Sequence, residues 1–215
     1  MTPKTEERRQ EMRAALIAAA ERTIATSGLP ALKARDLARE VGCALGAIYN
    51  VFPNLDALVF EVNGRTLAAF EEFLARAERK ERERTGEDGK GGQSGQGSQL
   101  VRLALVYVEF ALANRLRWRA LFEHRMNVSE QEEVPAWYSG EQARLFTLVE
   151  KPLRALRPDM DEKEAQIFAR TLFSGVHGIV SLGLDAKLMA LPVSVLKEQV
   201  ARFVEVVEAG LRTRK

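Results

Sequence analysis

The sequence predicts an all-α protein, and three observations carry that prediction. Apolar residues recur at three- and four-residue spacing through most of the 215 residues. No stretch alternates apolar and polar residues over the length of a strand. Gly28, Gly42 and Pro53 punctuate the first of these periodic stretches, as helix ends require.

Met12, Leu16, Ala19, Ala20, Thr23 and Ile24 form one stripe of a first helix, which Ser27-Gly28 ends with Gly28 in the left-handed conformation. Pro30 delays the next start. A short second helix is predicted from about Lys33 to Val41, stopped by Gly42, and a third from about Ala44 to Val51, broken by Phe52-Pro53. Asn54 is placed to cap a long fourth helix reaching about Arg82, with Leu58, Val62, Ala69, Phe70, Phe73 and Ala77 on its buried side. From Thr85 to Gln99 the composition is glycine-rich and polar, without a large apolar residue, which predicts a flexible loop. Helices are then predicted over Leu100 to Ala113 and Arg115 to Met126. A further one starts at Pro135 and reaches about Leu156, with Pro152 bending or ending it. Asp161 and Glu164 open another that reaches about Leu184. Pro192 and Ser194 open the last, with Leu196, Val200, Phe203, Val207 and Leu211 as its stripe.

Composition bounds function. Hydrophobic residues make up 46% and charged residues 29%, ordinary for a globular chain that buries its own core. Cys43 is the only cysteine, and His124 and His177 are the only histidines, so neither a disulfide framework nor a multi-thiolate zinc site is available. Residues 1–10 are polar and no apolar run reaches the roughly 18 residues of a membrane helix, so a cytoplasmic protein without membrane contact is expected. Net charge is +2, and acidic residues nearly balance basic ones across residues 1–65. Any nucleic-acid binding must come from a few placed cations rather than from bulk field.

Three short helices at the front, the last two joined by a glycine turn, are a helix-turn-helix, whose last helix enters the DNA major groove. The run Leu37-Ala38-Arg39-Glu40-Val41-Gly42-Cys43-Ala44-Leu45-Gly46-Ala47-Ile48-Tyr49-Asn50-Val51-Phe52 resembles the TetR family of transcriptional regulators. Leu37-Ala38, turn Gly42, Gly46, Ile48-Tyr49 and Phe52 carry the resemblance, and Asp56-Ala57-Leu58 match the opening of the family's fourth helix. It implies that Lys33, Arg35, Ala44, Leu45, Gly46, Ala47, Tyr49 and Asn50 face a double-stranded operator, while Leu37, Ile48 and Phe52 hold the three-helix core. Departures are visible too. Ala44 and Lys33 replace hydroxyl caps, Leu55 replaces a lysine, and residues 43–52 contain no Lys or Arg. Phosphate affinity must then rest on Lys33, Arg35, Arg39, Lys4, Arg8, Arg9 and Arg13.

Arg117-Trp118-Arg119-Ala120-Leu121-Phe122, followed by Gly175-Val176-His177-Gly178, resembles the TetR C-terminal domain type named for its Trp and His-Gly motif (WHG). That resemblance implies three domains or segments: a DNA-binding domain over 10–70 with its motif at 33–52, a helix end and loop over 71–99, and an effector-binding and dimerisation domain over 100–215. Trp118, Trp137, Tyr138, Phe146 and His177 are candidates to line a pocket for a small, largely apolar effector, or else plain core. Ser174, Gly178 and Ser181 make a small-residue face which, with Phe203 and Val207, suits a two-fold homodimer interface or intramolecular packing. No catalytic constellation is present: Glu-x-x-His, Gly-x-Ser-x-Gly and the phosphate-loop signature are all missing. A non-enzymatic regulator, acting as a repressor without a cofactor or metal, is expected. The alternative is a TetR-like scaffold that has lost DNA binding and acts through protein or ligand partners.

Overall fold

The computed structural model describes residues 3–85, 98–125, 133–185 and 190–213. Among them are nine α-helices, one 3-10 turn and no strand. In chain order these are α1 (Pro3–Ser27), the 3-10 turn (Leu29–Ala31), α2 (Ala34–Val41), α3 (Leu45–Val51) and α4 (Leu55–Thr85). Then follow α5 (Gln99–Ala113), α6 (Arg115–Glu123), α7 (Ala136–Leu156), α8 (Glu162–Gly183) and α9 (Val193–Thr213). The expected glycine-rich loop falls largely on residues 86–97, and Met126 on 126–132, both outside the described residues.

The helix ends follow the predicted chemistry with one exception. Asn54 Oδ1 accepts the Ala57 N–H at 2.7 Å and Asp161 Oδ1 the Glu164 N–H at 2.7 Å, so both predicted caps form. Gly42 ends α2 in the left-handed helical region (φ 75, ψ 33), and Ala38 O accepts the Cys43 N–H at 2.9 Å. Gly28 ends α1 as predicted, at positive φ (80) and with its N–H bonded to Ile24 O at 3.0 Å, but its ψ of 169 is extended rather than left-handed helical, which turns the chain toward Pro30. Helix α7 reaches Leu156 as predicted, with Pro152 inside it.

Packing divides the residues into two compact units. The first comprises the chain up to Ala69 together with Ala113–Ser139, and the second Phe70–Leu112 with Gly140 to the C-terminus. Helix α6 therefore belongs with the front helices, although the sequence reading placed all of 100–215 in a second domain. The physical reason is a shared core. Ala120 of α6 is buried with Leu16, Ile24, Leu37, Ile48, Phe52, Leu58 and Val62, and α6 also packs on the 3-10 turn. An ion pair at 2.7 Å between Arg117 and Glu21 ties α6 to α1, and Arg65 of α4 reaches the same carboxylate at 3.1 Å.

In the second unit, α8 and α9 lie closely together because two glycines of α8 receive side chains of α9. A methyl group added to Gly175 would stand 2.6 Å from the Phe203 ring, and one on Gly183 2.7 Å from Leu196. Buried Leu172, Val176, Val180, Leu196, Val200 and Val204 fill the contact. Glu71 of α4 accepts both nitrogens of the Arg144 fork on α7, at 2.7 and 2.8 Å.

Candidate nucleic-acid interface and effector region

The helix-turn-helix separates its residues by burial. Leu37, Ile48 and Phe52 are in the core, at 1%, 0% and 3% exposure, as apolar residues on the inner faces of α2 and α3 must be. Lys33, Arg35, Ala44, Leu45, Gly46, Tyr49 and Asn50 are exposed and Ala47 is half-buried. All eight expected contact residues thus lie on or beside α2 and α3 with their side chains accessible. Gly46 faces open space, because a methyl group there would meet nothing within 4 Å. The protein interior does not require glycine at this position. Neither Lys33 nor Ala44 makes a side-chain cap hydrogen bond, so the starts of α2 and α3 rest on backbone bonds, such as Ala47 N–H to Ala44 O at 2.9 Å.

The cations sort into engaged and available. Arg13 pairs with Glu61 and lies over the Phe52 ring, 5.5 Å from its centroid. Arg22 pairs with Glu40 at 2.6 Å, bracing α1 against α2. Arg39 meets Asp36 at 3.3 Å in an exposed pair of the kind worth less than about 1 kcal/mol. Exposed Lys33, Arg35 and Arg8 form no ion pair among the described residues, while the Lys4 side chain lies outside them. Positive charge at the interface is therefore concentrated at the start of α2.

Beside the recognition helix, the first turn of α4 is held from α6. His124 Nε2 lies 2.8 Å from Asp56 Oδ1, and the Phe60 ring meets His124 and Tyr138 edge-on, with centroids 5.1 and 5.0 Å apart. One turn further along α4, Asn63 is 1% exposed and neither amide atom finds a hydrogen-bonding partner among the described residues. A buried carboxamide left unpaired costs about 1–3 kcal/mol per group. Sequence reading missed Asn63. The signal was a polar residue at i+3 from Phe60 and i−4 from Leu67, on an otherwise apolar face.

The expected pocket residues fall into two groups. Buried Trp118, exposed Trp137 and buried Tyr138 belong to the first unit. There Trp118 meets Phe122, and Trp137 meets Tyr138. Phe146 and His177 belong to the second. Both contact Phe173, whose ring stacks on His177 at 5.9 Å and meets Phe146 edge-on at 5.5 Å. Tyr107, Phe70 and Phe110 continue this ring cluster, and Arg170 covers Phe146. Burial holds the His177 pKa below its usual value, which favours the neutral ring, and its Nδ1 shares a hydrogen bond with the Tyr107 hydroxyl 2.8 Å away.

Comparison with known proteins settles what this arrangement belongs to. Residues 16–62 match the bacterial regulatory proteins of the tetR family, and residues 100–207 match the tetracyclin repressor-like C-terminal domain. The chain belongs to the TetR family of transcriptional regulators. No curated protein matches the sequence significantly. Among solved structures, a protein of unknown function from Rhodococcus sp. RHA1 is 22% identical, with a TM-score of 0.64 over 94% of this chain and 96% of that one. A transcriptional regulator from the same organism is 20% identical, with a TM-score of 0.57 over 94% and 99%. The multidrug binding protein EbrR, solved with imidazole, is 19% identical, with a TM-score of 0.55 over 88% and 93%. At these identities the likeness is one of fold.

Within this TetR-family fold the expected dimer residues are placed unequally. Ser174 is exposed, with its hydroxyl turned back to Arg170 O at 2.8 Å. Gly178 is half-buried, and a methyl group there would meet nothing within 4 Å. Ser181 and Val207 are half-buried. Phe203 is spent largely inside the chain, against Gly175. The same two helices also expose Ile167, Leu182 and Val206, which the sequence reading left out. In the described residues no helix is long and apolar enough to cross a membrane.

Proposed function

We propose that this TetR-family regulator binds a double-stranded DNA operator as a homodimer and is released from it by a small, largely apolar effector, acting as a repressor. The observation that carries the reading is the burial contrast within α3. Ile48 is fully buried, while the neighbouring Leu45, Gly46, Tyr49 and Asn50 are exposed. A seven-residue helix built this way is a reading head held by its inner face. Leu45 and the Gly46 backbone supply close approach to the bases, Tyr49 and Asn50 supply polar contacts, and Lys33 and Arg35 supply phosphate charge.

The homodimer follows from the apolar and small residues that α8 and α9 leave exposed. Ile167 and Val206 are 57% and 65% exposed, and a copy of the same face would cover them under two-fold symmetry. An effector is supported by the aromatic clusters and by the likeness to EbrR, a multidrug binding protein. A scaffold without DNA binding draws support from the absence of Lys and Arg in residues 43–52. A gel-shift with the DNA flanking the protein's own reading frame decides between them. Saturable binding that Tyr49→Ala weakens supports the operator reading. No shift at micromolar protein and low salt, where phosphate contacts are strongest, leaves the scaffold.

A further inference from the structure

We infer that Asn63 is the polar anchor of an effector site in the first unit, and that the site selects a neutral ligand carrying a carboxamide or lactam on an aromatic or apolar body. The inference rests on the effector-responsive reading above and deepens it.

Three observations place the site. First, the amide of Asn63 is buried and has no partner for either its oxygen or its nitrogen. A position that served packing alone would favour Leu or Met, which fill the same volume without an unpaired donor and acceptor. Second, Asn63 lies opposite the side of α4 that is used by α1. Leu58 and Val62 are in the core shared with α1, and Glu61 and Arg65 pair with Arg13 and Glu21 of α1. At 100° per residue Asn63 shares a face with Phe60 and Leu67 instead, both buried and both outside that core. Third, Phe60, one turn from Asn63 along α4, meets His124 and Tyr138 edge-on, so aromatic side chains pack on this face of the helix.

The chemistry of the ligand follows from the chemistry of the anchor. A carboxamide offers one acceptor and a donor side by side, so the group that satisfies both presents a donor beside an acceptor, as another amide does. A carboxylate would need a cation. Arg117 of α6, half-buried, pairs with Glu21 on α1. An apolar molecule without a polar group would leave the amide unpaired, and sites built around a buried hydrogen bond discriminate strongly against analogues that lack it.

The test uses the full-length protein with benzamide, benzoate and toluene as probes. Binding is read by thermal shift and tryptophan fluorescence, and operator release by gel-shift. Asn63→Leu is expected to fold, to melt higher than the parent, and to lose at least about tenfold in benzamide affinity while keeping toluene. Benzoate is expected to bind the parent more weakly than benzamide. Equal benzamide affinity in parent and variant overturns the inference, as does a parent that prefers toluene or binds none of the three. A variant that melts lower than the parent also overturns it, since the amide would then be satisfied structurally. The regulatory reading fails separately. If benzamide binds through Asn63 and leaves operator affinity unchanged at saturation, the site stands and release by effector does not.

Discussion

Replacing Tyr49 by alanine separates the reading surface from the fold that carries it. The Tyr49 side chain is 48% exposed and sits on α3 one residue after fully buried Ile48. Exposed substitutions away from caps and cores change stability by about 0.5 kcal/mol or less. A hydrogen bond to a charged group contributes about 1.5–3 kcal/mol, and a two-fold dimer makes it twice. Tyr49→Ala is therefore expected to weaken operator binding by roughly 10²–10⁴-fold at fixed salt, with unchanged circular dichroism and melting. Tyr49→Phe, which deletes only the hydroxyl, is expected to recover little of it. Ile48→Ala supplies the contrast. It empties a fully buried site and is expected to cost about 2–5 kcal/mol, lowering the melting temperature by roughly 4–20 °C in a chain of this size. The assay is a gel-shift titration at two salt concentrations beside thermal denaturation. If Tyr49→Ala binds like the parent, the assignment of the contact face is wrong. If it melts like Ile48→Ala, the separation of face from core is wrong.

Three further outcomes are expected. Gly175→Ala pushes a methyl group to 2.6 Å from the Phe203 ring and is expected to lower stability in urea titration. By contrast, Gly178→Leu meets nothing inside the chain and is expected to leave the fold intact while converting a sedimenting dimer to monomer. A Gly178→Leu protein that still sediments as a dimer refutes the interface. For His177, burial lowers the folded-state pKa below the unfolded value near 6.5, so the unfolded chain takes up the proton first. Its contribution is complete above about pH 6.5 and is lost as pH falls through the window below it. The parent is thus expected to lose stability between pH 7.5 and 5 more steeply than His177→Gln in urea midpoints, and parallel curves would refute the neutral buried ring.

The front of the molecule was legible because its signals are local. Gly42 announces a left-handed turn, Asn54 and Asp161 announce caps, and Leu37, Ile48 and Phe52 fall on inner faces by spacing alone. What was not legible depends on which helix lies beside which. Periodicity shows that α6 has an apolar face but not that Ala120 joins the core of α1, so its grouping with the front helices emerges only from packing. The aromatic residues behave the same way. Phe173 links Phe146 to His177, and Tyr107 completes the cluster, although their positions in the chain are far apart. Asn63 was hidden for another reason: its meaning lies in the lack of a partner, which a sequence does not display.

That residue also shortens the path by which an effector reaches DNA. In the proposed mechanism the signal travels along α4, which starts at Leu55, three residues after Phe52. Asn63 stands seven residues after Asp56, about 10 Å along the helix at 1.5 Å per residue. Asp56 lies in the first turn, bonded to His124, and Asn54 caps that turn immediately after Phe52 closes the motif. In the proposed mechanism a ligand hydrogen-bonded to Asn63 acts on the first turns of α4, the helix that follows α3 in the chain. No element of the second unit has to intervene. Coupled sites typically exchange 1–3 kcal/mol, or roughly 5–150-fold in affinity. One or two hydrogen bonds made in only one of two orientations of α4 supply that amount. The Asp56–His124 bond is the contact such a reorientation must keep or break, which makes it the point where effector chemistry and operator affinity meet.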